Sequence, residues 1–334
     1  MGKIRRNVES SVASAQASAA QLAAATLSAQ AQLATNYFQL RYADSLKSLL
    51  DDTAKAYQHA LDITKNQYAA GTAARSDVVN AEAQLLAAQA AAINVEVQRA
   101  QDEHAIALLV GKPPAEVSIP PAPLPGRVPI VPTNVPSTLL ERRPDIAEAE
   151  RQMQQENALI GVQVAAYFPT FDLSATFGYA GGPAIGLFSA SNQVWSLMAS
   201  ASQTSFSGGQ RSAAVAAARA AYDQSVANYR EIVLAAFQNV EDELASLRVL
   251  GRQIGVNQAA VQAAQRAVEI TLNEYTTVIT AQITLLADQE TALLVQENRL
   301  IASVALVQAL GGGWDTSQLP SKGDLQRLHL EIPN

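Results

Sequence analysis

There is no cysteine in this chain of 334 residues. Disulfides, thiolate chemistry and lipid attachment through a cysteine are excluded for these residues. Aromatic residues make up only 5%, too few for the aromatic core of a compact enzyme domain. The histidines His59, His104 and His329 are far apart and lack metal-ligand spacing. No excess of positive charge exists either. The formal net charge is −7, from 23 Lys and Arg against 30 Asp and Glu, so no basic surface offers itself to nucleic acid. No uninterrupted apolar run reaches the roughly 18–20 residues of a membrane helix. The start, Met1-Gly2-Lys3-Ile4-Arg5-Arg6, is not followed by the apolar core of a signal peptide. No P-loop, dinucleotide fingerprint, catalytic triad or zinc motif is present. No enzyme, metal site or cofactor is expected.

What the chain does have is alanine, with polar residues that are mostly Gln, Asn, Ser and Thr. That mixture suits long helices meeting through small side chains. It is also repeated. Gly2-Lys3 matches Gly209-Gln210, Tyr37 falls on Leu244, and Gln67-Tyr68 falls on Glu274-Tyr275. Further on, Ala81-Glu82 meets Ala281-Gln282, Leu85 meets Leu285, and "ALLVGK" (107–112) faces "QALGGG" (308–313). The second copy is about seven residues shorter. The deficit falls where "QYAAGTAARSDVVNAEAQL" (67–85) is replaced by "EYTTVITAQITL" (274–285).

Each copy reads as a helical hairpin. From Asn7 to Tyr68 there is neither Pro nor Gly, and Leu33, Tyr37, Leu40, Leu46, Leu49 and Leu50 recur at helical steps. The second copy shows Phe237, Val240, Leu244 and Leu247, then Val261, Ala264, Val268 and Leu272. Such a helix would be roughly 100 Å long at 1.5 Å per residue, which points to a coiled coil. Glu82, Glu96 and Glu103 read as a solvated face.

Between the copies the pattern changes. Residues 113–136, "PPAEVSIPPAPLPGRVPIVPTNVP", cannot be regular helix. A short helical piece is expected from Ser137. Pro144 then suits the first turn of a helix reaching about Ala166, with Asp145 favourable at its N-terminus. Next, Phe171, Leu173, Ala175, Phe177 and Tyr179 alternate with Asp172, Ser174, Thr176 and Gly178. Trp195, Leu197, Ala199 and Ala201 alternate with Ser196, Ser200, Ser202 and Thr204 in the same way. Two strands of about 12 residues follow, enough for tilted membrane-spanning β-strands. Tyr179 and Trp195 near their ends suit an interfacial girdle. An ordinary hairpin packed on a helix is the alternative.

The expected organisation is mainly α with a small β part. It comprises a first helical hairpin (1–112), a Pro-rich segment (113–143), a return helix (144–167), two strands (168–207), a second hairpin (208–314) and a tail (315–334).

Three segments carry a family resemblance: "LLERRPDIAEAERQMQQENALIGVQVAAYFPTFDLSATFGY" (139–179), "SFSGGQR" (205–211) and "VQALGGGW" (307–314). On these the chain resembles the outer membrane efflux protein family, the TolC-like exit ducts, and looks closest to the lipoprotein branch serving RND-type pumps. The resemblance covers nearly the whole chain. It implies a homotrimer whose strands build one β-barrel in outer-membrane lipid and whose helices form an α-barrel through the periplasm. It further implies passive export of small molecules, an inner-membrane RND-type pump and a periplasmic adaptor, with no catalysis and no nucleic acid. The Pro-rich segment and the tail match the family's equatorial belt. A non-pore coiled-coil scaffold and an inactive truncated fragment are the competing readings.

The resemblance also assigns sites. The family's hairpin-tip pattern maps onto Tyr68, Gly71 and Asp77, so Tyr68, Gly71, Thr72 and Ala73, with Tyr275, Thr276 and Thr277 of the second copy, are expected to dock the adaptor. Asp77 either complements the dipole of its helix or joins a ring of three carboxylates that gates the duct. The second copy has Thr277 there. Arg142, Arg143, Pro144 and Asp145 are expected to hold the junction between belt and helix. Phe171, Leu173, Phe177, Tyr179, Trp195 and Leu197 are expected to face lipid. Relative to the family, the chain is expected to lack the leading helix, the first strand pair, the signal peptide and the lipidated Cys.

Overall fold

Nothing in the sequence interrupts the first helix, and in the computed structural model α1 spans Lys3–Ala69, 67 residues. The structure describes residues 2–128, 142–181, 188–274 and 278–328. After α1 come α2 (Arg75–Leu109), α3 (Pro144–Ala165), β1 (Thr170–Tyr179), β2 (Gln193–Ser202), α4 (Gln210–Glu274), α5 (Val278–Ala309) and α6 (Lys322–Leu328). The helical piece expected from Ser137, together with Tyr275, Thr276, Thr277 and His329, lies outside the described residues.

The described helices of the two hairpins differ slightly in length. Helices α1 and α2 have 67 and 35 residues, and α4 and α5 have 65 and 32.

By packing, the chain forms two units. One contains residues 1–21, 144–233 and 316–334, and the other contains residues 22–143 and 234–315. In the first unit Ala13, Ala17 and Ala20 of α1 are buried, as is Ala158 of α3. Alanine at these positions permits close helix approach at little side-chain entropy cost. Gly161 of α3 leaves room for the Arg6 side chain, which a Cβ would meet at 2.8 Å. The tail is tied in by Gln16, whose Nε2 donates to the Pro320 carbonyl at 2.9 Å.

This unit also carries the β-hairpin. The strands pair antiparallel, with Phe171 opposite Ala201, Leu173 opposite Ala199, Ala175 opposite Leu197 and Phe177 opposite Trp195. All these side chains share one face, because strand residues alternate. Each strand has 10 residues rather than the expected 12. Just beyond these ends Ala180 N–H still donates to Asn192 O at 2.8 Å, and Gln203 Nε2 donates to the Tyr167 carbonyl at 3.5 Å.

In the second unit α2 carries an apolar seam that charged residues interrupt toward its C-terminal end. Ala81, Leu85, Ala88 and Ala92 are buried at steps of three and four, and Asp102 and Ile106 are buried further along on the same two seven-residue rows. Its lower part meets Tyr57 and Leu61 of α1, with Ile279 of α5 packed beside them. Leu40 of α1 and Leu300 and Leu306 of α5 are fully buried. Among the described helices, α5 alone has the length and mean hydropathy, 1.2, of a membrane span. In sequence it is no continuous apolar run, because Asp288, Glu290, Glu297 and Arg299 interrupt it. Gln282, Glu297 and Ser303 of α5 are buried, which suits helix packing rather than lipid.

Helix α5 ends in a Schellman motif: Gly311 N–H donates to Gln308 O at 2.9 Å and Gly312 N–H to Val307 O at 3.0 Å. Gly311 has φ +89°, and a methyl group on it would sit 2.5 Å from the Arg142 carbonyl oxygen. Gly311→Ala is expected to destabilise this unit by about 2 kcal/mol, measured by denaturant unfolding. An unchanged midpoint would show that the Arg142 backbone moves aside freely.

Candidate functional site

The turn of the first hairpin is built by its own backbone. Gly71 N–H donates to Tyr68 O at 3.0 Å and Thr72 N–H to Gln67 O at 2.9 Å. That is a Schellman motif with Gly71 at φ +77° in the position that favours glycine. The Thr72 hydroxyl donates to the same Gln67 carbonyl at 3.0 Å. Ala74 then precedes α2 with extended dihedrals. Its N–H donates to Asp77 Oδ2 at 3.0 Å. Alanine has no side-chain acceptor, so only the returning half of a capping box forms. Tyr68 and Asp77 are both exposed.

Thr72, Ala73 and Asp77 come together with Leu272 of α4 and Val278–Thr280 of α5 around a groove of ≈ 460 Å³. Sequence reading missed the α1 wall of that groove, Ala60, Ile63, Thr64 and Gln67. Their spacing of three and four residues is the signal that could have found it. A larger groove of ≈ 550 Å³ lies between α1, α4 and α5. Its polar lining is Ser45 and the amides of Gln258, Gln262, Gln289 and Gln296, with no ionisable group to act.

At the other end of the hairpin, the Pro-rich segment is clamped by charge. Asp44 of α1 sits between two guanidinium groups. Its Oδ2 accepts from Arg41 Nη1 at 2.8 Å and its Oδ1 from Arg99 Nε at 2.7 Å. Arg99 Nη1 also reaches Glu103 Oε2 at 3.1 Å. Each member then holds backbone of the segment. Arg41 donates to Pro120 O, Arg99 to Ile119 O, Ile119 N–H to Glu103 and Ala122 N–H to Asp44 Oδ2. Leu124 N–H donates to the Ser45 hydroxyl at 2.8 Å. An extended, proline-broken strand has no ladder partner, so side chains must satisfy its backbone groups. Burial opposes the charge on Arg99, but the hydrogen bond and charge of Asp44, aided by Glu103, raise its pKa.

Glu103 is therefore not on a solvated face. Arg99 falls seven residues from Ala92 and Ile106 from Arg99, on the row of Leu85 and Ala92, and a charge on an apolar seam was the legible signal. Glu82 and Glu96 are exposed, as expected, with Glu96 near Lys47 at 3.4 Å.

Of the junction residues, Arg143 is buried and its Nη1 donates to the carbonyl of Ala309, the last residue of α5, at 2.9 Å. A cation there also complements the helix dipole. The Arg142 backbone faces Gly311. Pro144 is the first residue of α3 and is buried. Asp145 stands in its first turn and accepts from Ile146 N–H at 3.0 Å. The strand residues Phe171, Leu173, Phe177, Tyr179, Trp195 and Leu197 are all exposed on one face. Tyr179 stacks edge-on against Phe177 and Phe188 at 5.8 and 5.4 Å. Among the described residues no cluster of His, Asp and Glu suits a metal ion.

A family model described as outer membrane efflux protein matches residues 1–112 and 135–312. The chain is 31% identical over 300 residues to the solvent efflux pump outer membrane protein SrpC of Pseudomonas putida, covering 86% of this chain and 63% of that one. The chain thus spans under two thirds of the length of such curated relatives. Among solved structures, the outer-membrane channel OprN superposes with a TM-score of 0.88 at 29% identity, covering 94% of this chain and 73% of that one. The outer membrane protein VceC of Vibrio cholerae gives 0.85 at 26%, covering 94% and 77%.

Proposed function

The chain belongs to the outer membrane efflux protein family, and on that premise we propose that it forms part of an outer-membrane exit duct of a tripartite RND-type efflux system. It passes small molecules passively across the periplasm and the outer membrane. The observation that carries the reading is the β-hairpin. One face is a continuous apolar row, and every residue of that row is solvent-exposed within the chain. Such a face requires a nonaqueous partner, and lipid suits a strand pair of this length. Two strands leave open edges, and open edges are not stable in lipid. Closure therefore draws on further strands, and in this reading the assembly is a homotrimer.

In this reading the tip residues Tyr68, Gly71, Thr72 and Ala73 dock the periplasmic adaptor, which couples the duct to the inner-membrane pump. Asp77 supplies one carboxylate per subunit to a gating ring. Arg142, Arg143, Pro144 and Asp145 hold the belt against the helices, and the Arg41–Asp44–Arg99–Glu103 clamp fixes its Pro-rich strand.

The test is conductance of the purified, lipid-reconstituted protein, compared with Asp77→Asn. Asparagine keeps an acceptor for Ala74 N–H but removes the charge, so the cap survives while the ring is neutralised. Cation-selective channels whose selectivity falls in the variant are expected. A water-soluble, non-conducting rod would sink the duct. Conducting channels with unchanged selectivity would leave Asp77 as a helix cap alone.

A further inference from the structure

Aromatic side chains are scarce in this chain and concentrated at the β-hairpin. Five of the seven Phe residues lie between 168 and 206. At the loop end of the strands Tyr179 packs edge-on against Phe177 and Phe188. A second group stands at the other end, where the strands join the helices. Tyr167 and Phe168 lie between α3 and β1, and Phe206 lies between β2 and α4. They are 43%, 53% and 88% exposed.

Hydrogen-bonded turns fix these exposed positions. Phe168 N–H donates to Ala165 O at 3.2 Å, and Gln210 N–H to Ser207 O at 3.0 Å. Gly208 and Gly209, at φ +55° and +87°, shape the second turn. Aromatic surface held out in this way marks an interaction site.

The same end carries a cation without a counter-charge. Arg211, in the first turn of α4, reaches back across the junction. Its Nη2 donates to Thr204 O at 2.6 Å, its Nη1 to Ala166 O at 3.3 Å and its Nε to Ser207 Oγ at 3.4 Å. The guanidinium lies over the Tyr167 ring, 5.4 Å from the centroid. All these partners are neutral, and Arg211 forms no ion pair among the described residues. They take three of the five N–H groups of a guanidinium, and two stay open. The charge is held in place but not neutralised.

We propose that this junction binds an acidic phospholipid, with Arg211 holding the headgroup phosphate and Tyr167, Phe168 and Phe206 set between headgroup and acyl chains. The site rests on the reading of the hairpin face as lipid-facing. A guanidinium fork matches phosphate oxygens, and aromatic rings favour the membrane interface. The level also fits. The ten residues of β1 span roughly 30 Å. Tilted by about 40°, they cover roughly 23 Å of height, close to the ~25 Å apolar band of a membrane β-barrel. With Tyr179 and Phe188 at one boundary of that band, the strand–helix junction falls at the other, where headgroups lie. A soluble anion would meet Arg211 alone, whereas a lipid meets the cation and the aromatic patch together.

The measurement is native mass spectrometry of the assembled protein in detergent, titrated with phosphatidylglycerol, with zwitterionic phosphatidylcholine and with inorganic phosphate. Phosphatidylglycerol should be retained about tenfold more tightly than phosphatidylcholine, the size of one charge-assisted contact. Inorganic phosphate should not displace it. Arg211→Gln should abolish both the preference and the rise in melting temperature that phosphatidylglycerol gives the wild type. A mere staple of the junction would instead lower the melting temperature equally with and without lipid. If Arg211→Gln does not assemble, Arg211→Lys decides, since it keeps the charge but loses the fork, and the preference should shrink. Equal retention of the two lipids by the wild type overturns the site. So does a preference undiminished in either variant, or displacement by inorganic phosphate. A wild-type protein that enters no bilayer at all removes the lipid-facing reading as well, whereas insertion with equal retention sinks the site alone.

Discussion

Replacing Asp44 by alanine should cost about 3–5 kcal/mol of stability in the unit that contains it. The side chains of Arg41 and Asp44 are 6% and 4% exposed, so the ion pair is out of water. Removing the carboxylate leaves Arg41 buried without its counter-charge and Arg99 with Glu103 alone. It also strips the acceptor from Ala122 N–H. Buried pairs are expensive to form, but breaking one by deleting a single partner is more expensive still, because the survivor stays desolvated. The exposed pair Lys55–Asp52 supplies the contrast. It has the same 2.8 Å separation, with side chains 77% and 69% exposed, and Lys55→Ala should leave stability unchanged, since water and salt screen such pairs. Urea unfolding of both variants, with limited proteolysis across residues 113–128, makes the comparison. The clamp is expected to release the Pro-rich segment to protease in Asp44→Ala only. Equal, small effects in the two variants would mean that the clamp does not hold the segment.

The second large effect is expected on the β-hairpin. Leu197 lies at the middle of β2, opposite Ala175, and is 64% exposed. If its face meets hydrocarbon, Leu197→Arg should cost about 2–4 kcal/mol, the depth-dependent cost of a cation at the bilayer midplane. Ser196, one residue earlier, points to the opposite face and pairs with Thr176. Ser196→Arg should be tolerated there, because that face lines water in a closed barrel. The measurement is the yield of each variant assembled in outer-membrane vesicles, followed by unfolding from lipid. A loss confined to Leu197→Arg supports lipid contact. Equal tolerance of both substitutions would make this an ordinary water-exposed hairpin and remove the main support for the duct.

The sequence carried much of the architecture because the relevant signals are local. A stretch without Pro or Gly became α1, Pro144 opened α3, and alternation marked both strands. Gly71 marked the first turn because only a residue without a Cβ enters the left-handed region freely. The family resemblance then implied one assembly for these elements. The fates of the acidic residues were less legible. Glu96 and Glu103 lie on one helix, seven residues apart, and look alike in sequence. Glu96 is exposed, while Glu103 is drawn in by Arg99 and by the backbone of Ile119.

The same reason separates what the chain determined by itself from what only its folding decided. Helix and strand boundaries depend on residues within a few positions of one another, and hydrogen bonding, φ restriction and periodicity express them locally. The clamp joins Asp44 to residues 55 and 78 positions away, and Gln296 of α5 reaches the Pro125 carbonyl across 171. Whether a carboxylate is solvated or paired depends on which helix or segment lies opposite. That is a property of the packing, since desolvation acts through space and takes no account of distance along the chain.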